Sequence, residues 1–490
     1  MFGDIHASYV PTEWLNFSYR LGVDWFNSYY KDYFAIYSNS ASAGKVNVAN
    51  SLNRDINSDL LMTLHKAFGD IDASLTVGQN LYSSFYEQTR SQANGLILLD
   101  FPNMNNTTDN RGYEGTTHKR TSAVFGALTL NYKSMIYLDG TLRNEKSTTL
   151  PVANNSFSYP SASFGFIFTE LGGLKGNKIL PYGKIRASYA VTAQDAQLYS
   201  TDNYFYGGNF VDGWTSPDGM LFPYNGVLGY TYTDQLGNNT LKPEKMKTFE
   251  VGTELKFLDN RINLDLAYFV NHNQDLLMSV PIASSTGFSS KYMNAGKMST
   301  KCIELQFGLD IVKGNVFNWN FSVNCTNPKT MVDELAPGVD NLFLGGFTGS
   351  QIRAVAWQPY RSIYATVWAH DDQGNLIINP TGTYKGYPAA LGEMKYIADV
   401  QEKWRMGITN SFSYKGLMLI ATVEIKRGGH MWNGTRGALD YFGTSVASAA
   451  RATTDVIDYG GVYGYVNPLG VVIHTDARSA IQCIIICYFC

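Results

Sequence analysis

Apolar and polar residues alternate one by one along much of this chain, in runs joined by very tight turns. Phe249, Val251, Leu255 and Phe257 interleave with Glu250, Gly252, Glu254 and Lys256. A turn at Asp259-Asn260 follows, and then Ile262, Leu264, Leu266 and Tyr268 interleave with Asn263, Asp265 and Ala267. Successive strand residues point to opposite faces, so each run has one apolar face and one polar, partly charged face. A soluble barrel keeps its apolar face inside. Bulky charges on the polar face of many strands instead fit a wet lumen with lipid outside. The pattern predicts an all-β fold, an antiparallel transmembrane β-barrel segment of roughly 14–16 strands.

The runs come in pairs. Residues 57–68 and 70–86 form a hairpin across Gly69, residues 123–132 and 135–143 another around Lys133-Ser134, and 157–169 pairs with 182–191. Residues 15–25, 247–257, 261–278, 301–311, 316–324, 405–414 and 417–425 complete the set, with Lys415-Gly416 joining the last two. Gly and Asn suit such turns because they tolerate positive φ. Long polar connections, mainly 87–119, 193–242 and 370–403, lie between the hairpins. Short turns at one end of the strands and long loops at the other are expected of an outer-membrane barrel, with the turns periplasmic. Between Ile352 and Lys403 the alternation of ends calls for one more crossing. Aromatic pairs such as Tyr29-Tyr30, Tyr33-Phe34, Phe85-Tyr86 and Tyr268-Phe269 are candidates for interfacial girdles, or simply for β-formers.

Composition agrees. Of 490 residues, 14% are aromatic and 16% charged, against about 25% charged in an ordinary soluble domain. No apolar stretch approaches the ~20 residues of a membrane helix. Net charge is −3, which gives no electrostatic case for nucleic acid. Cys302, Cys325, Cys483, Cys487 and Cys490 show no disulfide spacing, and the terminal three lack the remainder of a zinc pattern. The chain opens Met1-Phe2-Gly3-Asp4 with no signal peptide and enters strand-like sequence at once. An N-terminally incomplete chain is expected.

Several strings carry a family resemblance. Leu241-Lys242-Pro243-Glu244-Lys245, running into Phe249-Glu250-Val251-Gly252, resembles an element of TonB-dependent outer-membrane transporters. Ser285-Thr286-Gly287-Phe288, Asn294-Ala295-Gly296 and Lys301-Cys302-Ile303-Glu304-Leu305 resemble the SusC/RagA branch from Bacteroidetes. So do Tyr137-Leu138-Asp139-Gly140-Thr141-Leu142-Arg143, Tyr159-Pro160-Ser161, Glu334-Leu335-Ala336-Pro337-Gly338, and Lys426-Arg427-Gly428-Gly429 with Asn433-Gly434-Thr435.

The resemblance implies a plugged barrel of about 22 strands. It implies energy-coupled import of glycans or peptides, driven by a TonB-ExbB-ExbD complex through the plug, with a SusD-like lid lipoprotein over the extracellular loops. Residues 1–460 are expected to be barrel and 461–490 an atypical tail, with plug and signal peptide absent. Cys302 stands where the family usually has Gly, and 474–490 reads as unrelated sequence, as a frame change or truncated gene would produce.

No catalytic constellation, metal set or cofactor motif stands out, and the chain is not expected to be an enzyme. The seven His are scattered, with His272 and His430 near strand ends. Asp371-Asp372-Gln373-Gly374-Asn375 lacks the later bidentate Glu of a calcium loop and reads as a polar turn. The binding candidate is the loop 204–232, with Tyr204, Tyr206, Trp214, Phe222 and Tyr224 as site residues and Phe205 among them. Aromatic faces suit stacking on sugar rings or peptide side chains. The same rings could instead fold the loop onto its neighbours. Two other readings of the whole chain stay open: a passive porin or adhesin barrel, and a secreted β-rich carbohydrate-binding protein with its apolar faces packed inside.

Overall fold

The computed structural model describes residues 1–210, 220–224, 226–449, 456–457, 461–466, 472–474 and 483–484. Its framework is an antiparallel sheet whose path runs through fourteen strands in sequence order, with Lys329–Glu334 paired to Lys297–Lys313 off that path. The strands are β1 (Phe2–Thr12), β2 (Leu15–Phe34), β3 (Lys45–Phe68), β4 (Ile71–Asn94), β5 (Asp109–Tyr132), β6 (Ile136–Ser147) and β7 (Ser156–Ile167). They continue with β8 (Tyr182–Gln194), β9 (Glu244–Phe257), β10 (Ile262–Gln274), β11 (Lys297–Lys313), β12 (Phe317–Thr326), β13 (Glu402–Tyr414) and β14 (Leu417–Gly428). Among the described residues each end strand, β1 and β14, pairs on one side only.

The chain divides into two compact units. The first comprises 1–297, 305–322 and 411–419, and it holds β1 to β10 complete. Here the register puts like with like. Leu15, Leu64, Leu75 and Leu128 line up across β2 to β5. Leu130, Leu138, Phe164, Ala187, Val251 and Tyr268 line up from β5 to β10. Directly paired residues share a face, so these rows build one continuous apolar surface. Its large side chains are solvent-accessible, Phe249 at 50% and Leu142 at 57%. The buried clusters sit instead at the loop end, as with Leu150, Phe157, Ala196 and Leu241, or Val46, Ala93 and Leu96.

Short turns at 13–14, 69–70, 133–135 and 258–261 close one end. Lys133 and Ser134 both take positive φ, 52° and 54°, the geometry whose twist matches a two-residue hairpin. At the other end run the connections 95–108, 195–243 and 275–296. The expected loop at 87–119 is corrected here, because β4 continues to Asn94 and β5 begins at Asp109. A strand of 24 residues reaches ~80 Å, far beyond the ~25 Å apolar band. Outside that band both faces meet water, so the alternation that marks a strand disappears.

The second unit comprises 298–304, 323–410 and 420–490. It contains a separate four-stranded sheet of Asn341–Phe347, Ser350–Val355, Ser362–Trp368 and Ala390–Asp399. The expected extra crossing between Ile352 and Lys403 is therefore not in the main sheet. Strand β12 neighbours β13 directly, and the whole connection 327–401 belongs to one end. Ile377 and Ile378, both buried, pair in parallel with Val462 and Tyr463. Cys302 is buried with its thiol 3.2 Å from Thr326 Oγ1, and it and Cys325 are free thiols. Cys487 and Cys490 lie outside the described residues.

Candidate functional site

The loop that carries the binding candidates is anchored by the same strings that look familiar in the sequence. Leu241 is fully buried among Leu150, Phe157 and Ala196. The Asn294 carboxamide accepts the Lys242 N–H at 2.9 Å and donates to the carbonyls of Lys242 at 2.8 Å and Asp275 at 2.9 Å. Asn154 donates to the Leu241 carbonyl at 3.1 Å, and Asn238 to that of Tyr292 at 3.1 Å. Side-chain amides thus satisfy backbone carbonyls of these connections. Tyr292 packs against this cluster, and burial raises its hydroxyl pKa above the ordinary tyrosine value.

Above the base, Phe205–Gly207 pairs with Tyr230–Tyr232. Phe205 and Tyr232 face each other with ring centroids 4.7 Å apart, and Phe288 joins Tyr232 at 5.8 Å. These three rings form a partly exposed ladder. Tyr204, Tyr206 and Tyr224 are exposed but do not belong to it; Tyr206 lies opposite Thr231, one residue out of phase. Phe222 serves the loop itself. Its ring covers Gly208 and Gly229, where an added Cβ would meet ring atoms at 2.8 and 2.4 Å. Trp214 lies outside the described residues. The candidate residues drawn from the loop leave out Tyr232, its last residue, and Phe288. Phe288 comes from a different connection, and its only sequence signal is the string Ser285-Thr286-Gly287-Phe288.

The polar face of the sheet carries charges that neutralise one another. Arg186 on β8 reaches across β9 to Asp265 on β10, with two bonds of 2.9 and 2.8 Å, and touches Glu250 at 3.4 Å. Gly252 makes this possible, since a Cβ there would meet the guanidinium at 2.8 Å. Arg143 binds Glu145 at 2.8 Å, the Tyr159 hydroxyl at 2.8 Å and Asn80 at 3.2 Å. Asn80 passes the network on to Asn57 and Asp59 at 2.8 and 2.7 Å. These residues alternate with the greasy rows, so the face opposite the exposed apolar one is hydrophilic and internally paired. Residues 6–467 match the family model described as TonB dependent receptor-like, beta-barrel.

The chain belongs to this family of TonB-dependent outer-membrane barrels.

Curated relatives include TonB-dependent receptor P3 of Formosa agariphila, 24% identical over 432 residues, which covers 82% of this chain and 41% of that protein. SusC of Bacteroides thetaiotaomicron is 24% identical over 306 residues, 59% of this chain and 29% of that one. Among solved structures, the RagAB peptide transporter superposes with a TM-score of 0.74 at 18% identity, covering 91% of this chain and 49% of that one. The closed-closed state of the RagAB peptide importer gives 0.72 over 90% of this chain and 48% of that one. At that identity the match establishes fold. The chain spans less than half the length of these relatives.

In outer-membrane barrels as a class, apolar rows of this kind face lipid and the alternating polar residues face the lumen. The strings Tyr137 to Arg143 and Tyr159-Pro160-Ser161 meet through the Arg143–Tyr159 bond, and Glu250-Val251-Gly252 through Arg186. His272 lies on the apolar face beside Lys247, and the His430 ring lies 3.3 Å from the Asp399 carbonyl. The Asp371 carboxylate is occupied by its own turn, accepting from the N–H groups of Gln373 at 2.9 Å and Asn375 at 2.7 Å. No group of His, Cys, Asp or Glu among the described residues is arranged to hold a metal.

Proposed function

We propose that this chain forms wall and extracellular loops of an energy-coupled importer of the SusC/RagA type. The observation that carries the reading is the two-faced sheet: apolar rows left uncovered on one side, ion pairs closed among themselves on the other. A secreted carbohydrate-binding sandwich would bury those rows between sheets, and the exposure of Phe249 and Leu142 argues against it. Residues 1–460 supply the barrel portion in this reading, and 461–490 are not native barrel. A plug, supplied elsewhere in the intact protein, would take the pull of TonB-ExbB-ExbD. A SusD-like lipoprotein would close over the loops and separates this reading from a passive porin or adhesin.

The substrate class proposed is an oligosaccharide. The ladder of Phe205, Tyr232 and Phe288 offers flat apolar faces beside the Tyr232 hydroxyl, a surface suited to stacking on sugar rings. A peptide is the second reading, favoured by the fold shared with a peptide importer. In the intact transporter, Trp214→Ala and Tyr232→Ala are expected to weaken capture of the cognate class at least several-fold while the barrel still assembles. Unchanged affinity and uptake in both variants remove the loop as the binding site.

A further inference from the structure

On the apolar side of the sheet, midway along β3 to β5 and at the loop end of β6, the greasy rows give way to a cavity of about 490 Å³. Ile56, Ser58, Leu81, Ser83, Arg120 and Lys146 are among its lining residues. The register places these six side chains on the apolar face, in the rows Ile56–Ser83–Arg120 and Ser58–Leu81–Ser122–Lys146. The next row adds Arg54, Phe85 and His118. Arg54 lies 5.2 Å over the Phe85 ring, His118 meets that ring edge-on, and His118 Nε2 is 2.9 Å from Ser83 Oγ.

Three cations and several hydroxyls therefore occupy a surface that should be greasy. Arg120 and Lys146 are exposed, and among the described residues neither has a carboxylate within ion-pair distance. The nearby carboxylates are engaged on the other face: Asp195 holds Lys119 at 2.7 Å, and Glu145 holds Arg143 at 2.8 Å. The next carboxylate up the lipid face, Glu87, lies beyond Phe85. Depth fits as well. Ser83 lies about 12 residues up β4 from Ile71 in the turn-end row of Phe68 and Tyr132. At ~3.4 Å per residue and a strand tilt of ~40°, that is a rise of ~30 Å, which reaches the outer interface of the bilayer.

We infer that this cavity binds the phosphorylated headgroup of an outer-leaflet lipid. Arg120 and Lys146 neutralise the phosphate, Ser58, Ser83 and Ser122 donate to its oxygens, and the acyl chains run down Leu60, Leu81, Val124 and Leu142. The site rests on the apolar face being the one toward lipid. It is built on β3 to β6, away from both open edges of the sheet.

The test is native mass spectrometry of the intact transporter, extracted from membranes in mild detergent and titrated with lipid A, with dephosphorylated lipid A and with inorganic phosphate. Lipid A is expected to stay bound at one per transporter. R120Q/K146Q is expected to lose at least tenfold in retention, with strand content by circular dichroism unchanged, and K66Q, a cation on the same face at the turn end, to lose nothing. Millimolar phosphate is expected not to compete. Equal retention of the dephosphorylated lipid, or full retention by R120Q/K146Q, overturns the headgroup site but leaves the lipid-facing side in place. Retention of neither lipid overturns both. Competition by free phosphate overturns the lipid as the source of the ligand.

Discussion

The Asn294 side chain closes on both backbone groups of Lys242, accepting its N–H at 2.9 Å and donating to its carbonyl at 2.8 Å. With the third bond, to Asp275, one carboxamide ties together the two connections that carry the aromatic ladder. Asn294→Ala strips three backbone groups of partners, at a cost of about 1–3 kcal/mol. The expected outcome is faster proteolytic nicking in 195–243, with the main unfolding transition nearly unmoved. A shift of the main transition with no change in nicking would place Asn294 in the barrel's stability instead.

Gly252 leaves the path by which Arg186 reaches Asp265. Gly252→Val is expected to push the guanidinium off that carboxylate. Both partners are about a third exposed, so the loss should stay near ~1 kcal/mol. The diagnostic is non-additivity in denaturant titrations: in an Arg186→Gln background the Val should cost little more. Additive effects would mean that Gly252 serves something other than this pair.

Leu128 and Thr129 are sequence neighbours on opposite faces, Leu128 beside Leu75 and Thr129 beside Ser74. Leu128→Arg, some four residues above the turn-end row, puts a charge into hydrocarbon at a cost of about 2–4 kcal/mol. Thr129→Arg enters a wet lumen and should cost almost nothing. Refolding yields into bilayers compare the two. Equal yields would erase the distinction between the faces.

The open edges make a further prediction. Among the described residues, strands β1 and β14 each lack a partner on one side, and an unpaired backbone group in hydrocarbon costs several kcal/mol. The chain refolded alone in detergent is expected to show no heat-modifiable gel shift. A compact, heat-modifiable monomer would show that these strands can close on each other.

Part of the site was legible in the sequence and part was not. The strings around Leu241, Asn294, Arg143 and Gly252 were visible as a family pattern, but their purpose was not. Asn294 meets Lys242 and Arg186 meets Asp265 only after the strands are laid side by side, 52 and 79 residues apart in sequence. The loop aromatics were named from composition. Which rings meet depended on the phase of a three-residue ladder, which pairs Phe205 with Tyr232 and turns Tyr206 away.

The alternation by itself determined the fold class, the hairpins and the division into an apolar and a polar face, because a period of two fixes side-chain direction locally. It could not mark residues 87–94 of β4 and 109–122 of β5, where water on both sides removes any reason to alternate. It also suggested a crossing within 352–403 that the sheet order rules out. Tertiary structure alone decided those points and gathered Arg54, Arg120 and Lys146 on one patch. Register joins residues that the chain keeps far apart, and register is set by the pairing of whole strands.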